Sequence, residues 1–159
     1  MDDEVRPVRE RGSVSIEVAV LAPAFIALMV LAGVVGRTAV ADEAVESAAH
    51  DAARAASIAR DAATGRAAAT NAARRRLDWR DLSCAGAPAL AFSGTVRGAP
   101  TSFGQAYRAA PGVPATVTVR VTCRVSFADL RAPGLPGVPG SHTVSASFTS
   151  PLDSYRSRG

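Results

Sequence analysis

Residues 18–36 carry no charged side chain, and beyond them the spacing of apolar positions changes twice. Read as a helix, the uncharged run would rise about 28 Å, close to the hydrocarbon thickness of a bilayer. Pro23 would break a helix interior in water but is tolerated in a membrane helix as a kink. Residues 38–77 are rich in Ala, the best helix former, and contain no Pro. Val45, Ala49, Ala52, Ala56, Ala59 and Ala63 recur at alternating steps of four and three, which predicts a narrow stripe of small residues on one helix face. Asp51 and Arg54 lie off that stripe at i,i+3, where they can pair. The register then meets Arg66 and Thr70, beside Gly65, so the helix is expected to bend, fray or pause there. The pattern predicts one helix from about Val14 to Gly65 and a shorter one to about Arg76. The stripe itself has two uses: packing on the protein's own sheet, or contact with neighbouring copies.

From Leu77 the period becomes two and Gly and Pro become frequent. In "ATVTVRVTCRVSF", Val117, Val119, Val121, Cys123, Val125 and Phe127 face one way, with Thr118, Arg120, Thr122, Arg124 and Ser126 facing the other. That alternation is the mark of a half-buried strand. "HTVSASFTS" repeats it, with Val144, Ala146 and Phe148 inward, and "ALAFSGTV" at 89–96 is a weaker third strand. Between the two strong strands lies "APGLPGVPG", which only a turn-rich connection accommodates, so an antiparallel pair is expected. The fold class is α+β: a long N-terminal transmembrane and Ala-rich helix, with a small antiparallel β-sheet domain packed on its outer half. The expected organisation is a leader at 1–12, a transmembrane helix at 13–36, an Ala-rich extracytoplasmic helix at 37–76 and a β-rich domain at 77–159.

Charge orients the span. Arg6, Arg9 and Arg11 precede it, whereas Arg37 alone separates it from Asp42, Glu43 and Glu46. By the positive-inside rule the N-terminus is cytoplasmic and the remainder lies outside. The net charge is +4, and all 18 basic residues are Arg. No aromatic residues interleave with a basic patch, so nucleic acid is not an expected partner. The run Arg74–Arg76 suits a helix C-terminus. His50 and His142 stand apart from each other and from the cysteines in sequence, so no metal site or cofactor is expected. The chain contains no GxSxG, HExxH or P-loop motif, and no enzyme activity or small-molecule substrate is expected. Cys84 and Cys123 would lie outside the membrane, where disulfides persist. A bridge would stabilise so small a domain by roughly 4 kcal/mol; the alternative is two buried free thiols.

The segment "RGSVSIEVAVLAPAFIALMVL" puts a carboxylate, Glu17, at the edge of the apolar run, five residues after Gly12. With its basic leader it resembles the type IV prepilin signal, and within that superfamily the TadE-like family of tight-adherence pilus proteins. The ending "SPLDSYR" is similar to that of short members. The resemblance implies a pilin-like, non-enzymatic pseudopilin. It also implies a prepilin peptidase that cuts between Gly12 and Ser13, leaving Glu17 fifth in the mature chain. Its implied partners are the membrane, pilus subunits and the assembly platform, at the cell membrane or in a surface pilus. Ser13 and Glu17 are one helical turn apart, so the carboxylate can meet a new N-terminal amine, its own or a neighbour's. The rival reading is a signal-peptidase site at Ala39-Val40-Ala41, which would release an envelope protein that binds surface polymers.

Overall fold

The computed structural model describes residues 13–79, 84–127 and 140–155. Helix α1 spans Ser13–Ile58 and α2 spans Ala62–Trp79. Then come β1 (Ala89–Val96), β2 (Ala99–Thr101), the short helix α3 (Phe103–Tyr107), β3 (Ala115–Ser126) and β4 (Ser141–Pro151). The four strands form one antiparallel sheet in the order β2-β1-β3-β4. The arrangement is α+β, with the long apolar helix leading into the small sheet, as the change of period predicts.

Helix α1 has two halves. In the first, Val20, Leu21, Phe25 and Met29 are exposed, and none of the most apolar 18-residue stretch is buried within the fold. Among the described residues it is the one helix long and apolar enough to cross a membrane. In the second half the buried residues are Ala41, Ala44, Val45, Ala48, Ala49, Ala52, Ala53 and Ala56. This band is wider than a two-position stripe because α1 is covered from two sides, by α2 and by the inner faces of β3 and β4. Methyl side chains let those backbones come close, and a larger residue would have to push them apart.

The break between α1 and α2 falls at residues 59–61, earlier than the expected pause at Gly65. Two local causes decide it. Ala59 N–H bonds to the Ala56 carbonyl at 3.0 Å, tightening the last turn of α1. Asp61 then caps α2: one carboxylate oxygen accepts from the backbone N–H groups of Ala63 and Thr64, each at 2.9 Å, and the other from the Thr64 hydroxyl at 2.7 Å. Ala63 therefore leaves the stripe and is exposed. Gly65 lies inside α2 and is buried; a β-carbon there would strike the Tyr107 hydroxyl. Its role is close approach and not a hinge.

The sheet follows its alternation. Ala115, Val117, Val119, Val121, Cys123 and Val125 of β3 are all buried, and burying each valine contributes about 1.5–3 kcal/mol. Val119 lies between Phe92 of β1 and Phe148 of β4, and Val121 between Leu90 and Ala146. Val144 is buried and Ala146 half-buried, but Phe148 is 39% exposed because β4 is an edge strand. Two elements escaped the sequence reading. β2 returns from β1 through a tight turn in which Arg97 (φ 51°) and Gly98 (φ 79°) both adopt left-handed conformations, the geometry that matches hairpin twist. Helix α3 is capped by Ser102, whose hydroxyl accepts from Gln105 N–H at 3.3 Å; the string Ser-Phe-Gly-Gln is its capping signal. It rests on the sheet at Gly94, where a β-carbon would lie 2.7 Å from that of Ala106.

Candidate functional site

At the foot of the molecule, Glu17 is exposed in the second turn of α1. Ser13 is the first residue of the helix, so the two share a face at i,i+4. Gly12 lies outside the described residues. Among the described residues nothing covers Glu17, so the exposed carboxylate and the apolar surface above it face whatever surrounds the helix.

Above the apolar half, the junction to the sheet is built from residues whose role the sequence reading did not foresee. Val34 packs against the core, and Arg37 Nη1 donates to the Ser126 carbonyl at 3.3 Å. Thr38 returns its hydroxyl to the Val34 carbonyl at 2.8 Å. An arginine directly after an apolar run reads from sequence as a topology signal, and only the fold shows it holding the last residue of β3.

Cys84 and Cys123 are joined by a disulfide with 5.4 Å between their α-carbons. Cys84 pairs as an isolated bridge with Val125, and Ala85 N–H bonds to the Arg124 carbonyl at 2.7 Å. The cross-link thus fastens the chain leaving α2 to the strand at the centre of the core. The central strand has its inner face closed by α1 and its end closed by this bond.

Asp51 pairs with Arg76 of α2 and not with Arg54: Arg76 Nε donates to Oδ2 at 2.7 Å. The separation in sequence hid this pair; the α1–α2 hairpin creates it. The Arg76 guanidinium holds the Asp51 carboxyl below the usual carboxylate range, against a smaller opposing effect of burial, and His50 at 3.5 Å adds to the lowering. Arg76 is correspondingly raised by the Asp51 hydrogen bond. It sits in the last turn of α2, so the arginine run does lie near a helix C-terminus. His50 also meets the Phe148 ring edge-on, with centroids 4.4 Å apart, while His142 is exposed on β4. Asp61 is likewise lowered, first by the Thr64 backbone N–H and then by the Thr64 hydroxyl.

At the far end, Tyr107 donates its hydroxyl to the Ala56 carbonyl at 2.5 Å, the same oxygen that accepts from Ala59 N–H, and so ties α3 to the end of α1. Phe103 is fully buried between Phe92 and Tyr107, with ring centroids 5.1 Å away on each side. The Arg66 guanidinium lies 5.4 Å from the Phe103 ring centre, a cation–π contact at the rim. Among the described residues no cluster of three His, Cys, Asp or Glu side chains could hold a metal ion.

Exposed apolar helix, small-residue packing above it and a disulfide-closed sheet define an α+β protein with one helix long and apolar enough to anchor it in a membrane. Residues 12–54 match the family model TadE, described as TadE-like protein. The match runs from the glycine before α1 to the last turns of its outer half, so the segment that carried the resemblance is TadE-like. The family is a structural one associated with the tight-adherence pilus and is not known as enzymatic. No curated protein and no solved structure matches the chain.

Proposed function

We propose that this chain is a pseudopilin of a tight-adherence pilus, cut by a prepilin peptidase between Gly12 and Ser13 and then held in the membrane as an assembly subunit. The observation that carries the proposal is the single helix α1, uninterrupted from Ser13 to Ile58, exposed and apolar at its foot and buried at its outer half. Such a helix couples a domain outside the membrane rigidly to a span inside it. The N-terminus is cytoplasmic and the sheet extracytoplasmic in this reading, which fits the arginines before the span and the disulfide beyond it. The leader, span, Ala-rich helix and β-rich unit then act as four functional parts.

Glu17 is proposed to receive a mature N-terminal amine from an adjacent subunit, its partner in the filament or on the assembly platform. An unpaired carboxylate in a membrane is costly, and a second buried charge of opposite sign offsets that cost. Val34 and Arg37, both ahead of Ala41, contribute to the fold, which favours retention of the span over release by a cut after Ala41.

The test is the mature N-terminus of the membrane-extracted protein by intact mass. Ser13 supports the proposal, and a start at Asp42 overturns it. Glu17→Leu should still insert and be cut, yet be lost from sheared surface material; normal incorporation would reduce Glu17 to a headgroup-level residue.

A further inference from the structure

Between α1 and α2 lies an open recess of about 400 Å³. One wall is a face of α1 that carries Asp51, Arg54 and Ile58, and the other is a face of α2 that carries Arg75 and Arg76. Ala55 and Ala72 line it too, and their short side chains leave the space between the helices open. Three guanidinium groups therefore share one recess with one carboxylate.

The hairpin creates this surplus of charge. Arg54 lies one turn after Asp51 on α1, where the two could pair, but Asp51 accepts from Arg76 Nε at 2.7 Å. Arg54 and Arg75 are both exposed, and neither side chain makes a hydrogen bond or ion pair with another described residue. Two cations without a counter-charge in one recess repel each other, and an anion placed between them is attracted by both.

The position of the recess narrows the choice of anion. Arg54 stands about 26 Å along the helix beyond Arg37, about three Debye lengths at physiological salt. Headgroups of the anchoring membrane do not reach it, so the ligand comes from outside the bilayer. No aromatic side chain lines the recess, which leaves the bases of a single-stranded nucleic acid nothing to stack on. The exposed floor is hydrocarbon, since Ile58 is 65% accessible. In a polyol phosphate, methylene groups flank each charge and can rest on that floor. In an acidic peptide the chain consists of amides, which find no partner there.

We propose that the α1–α2 recess binds a polyol-phosphate polymer of the cell envelope, its phosphate held between Arg54 and Arg75 and its methylene groups against Ile58. Exposed ion pairs are individually weak, so a single phosphate binds poorly. A chain of phosphates that meets the same recess on many anchored copies gains from their high effective concentration. The inference goes beyond assembly and needs only that the outer half of α1 stand outside the membrane. A mature N-terminus other than Ser13 would leave it intact.

The test uses full-length protein, many copies to a vesicle, in phosphatidylcholine, which has no net charge. Fluorescent poly(glycerol phosphate) is added, and the amount that sediments with the vesicles is measured as a function of its concentration. Arg54→Gln with Arg75→Gln should weaken binding about tenfold. The melting temperature should stay unchanged, because neither side chain holds the fold. Arg74→Gln with Arg120→Gln removes the same charge elsewhere, Arg74 lining a different recess beside Cys84 and Arg120 lying on β3. That second variant should bind nearly as the native chain does. Equal losses in the two variants would make binding a matter of net charge. Tighter binding of polyglutamate or of single-stranded DNA would give the recess to another partner. Either result, like absence of binding, overturns the proposal.

Discussion

The two halves of α1 are one continuous helix with opposite burial. Below Arg37 most of the large side chains are exposed: Val20 is 71% and Met29 77% accessible. Above Val40 the buried residues are small, and Ala48 and Ala52 are fully enclosed. Hydropathy alone would have buried the first half and exposed the second. Burial within a fold depends on how near another backbone can come, and a methyl group permits what a leucine prevents. Among the described residues nothing encloses the large side chains of the lower half, which suits a membrane, where large apolar side chains are at home.

The disulfide offers the largest test of that contrast. Cys84→Ser with Cys123→Ser should cost the sheet unit about 4 kcal/mol. The outer half of α1, which borrows its stability from the sheet, should then become open to protease, while the lower half stays helical in micelles. Protease mapping combined with circular dichroism reads both. If the outer half kept its protection, its packing would not depend on the sheet.

Next in size is a change of volume at matched positions. Ala52→Leu should destabilise by about 1–3 kcal/mol, because the site has no room for three more carbons. Ala24→Leu, on the exposed lower half, should change stability by about zero and insert at least as well. Denaturant titration in a fixed detergent compares the pair. Equal effects would mean that the two halves are not differently packed.

The smallest effect is acid sensitivity, which should be confined to the outer half. Asp51 and Asp61 both titrate below their unfolded value of 3.8. Their contribution is therefore complete above that value and is lost as pH falls through the lowered folded values. Melting temperatures should fall on acidification below about pH 4, and less so in a variant with Asp51→Asn and Asp61→Asn, since asparagine still caps but does not titrate. An unchanged acid slope would assign the loss to other carboxylates.

The sequence by itself determined the apolar span, the inner and outer faces of β3, the antiparallel β3–β4 pair and the segment of β1. Each of these is written in a local period, 3.6 for a helix or two for a strand, that no distant contact needs to supply. The Gly12-to-Glu17 spacing was legible for the same reason, although Gly12 lies outside the described residues. Where α1 stops is set locally, by the cap that Asp61 makes on Ala63 and Thr64 against an Ala pattern that runs on to Gly65; the rest was decided by the tertiary structure. It alone gave Asp51 to Arg76 in place of nearby Arg54, set Arg37 against Ser126 and laid Tyr107 over Gly65. Those contacts join residues far apart in the chain, and their partners are set by the direction of the α1–α2 hairpin and the level at which the sheet lies on α1, neither of which a periodic pattern encodes.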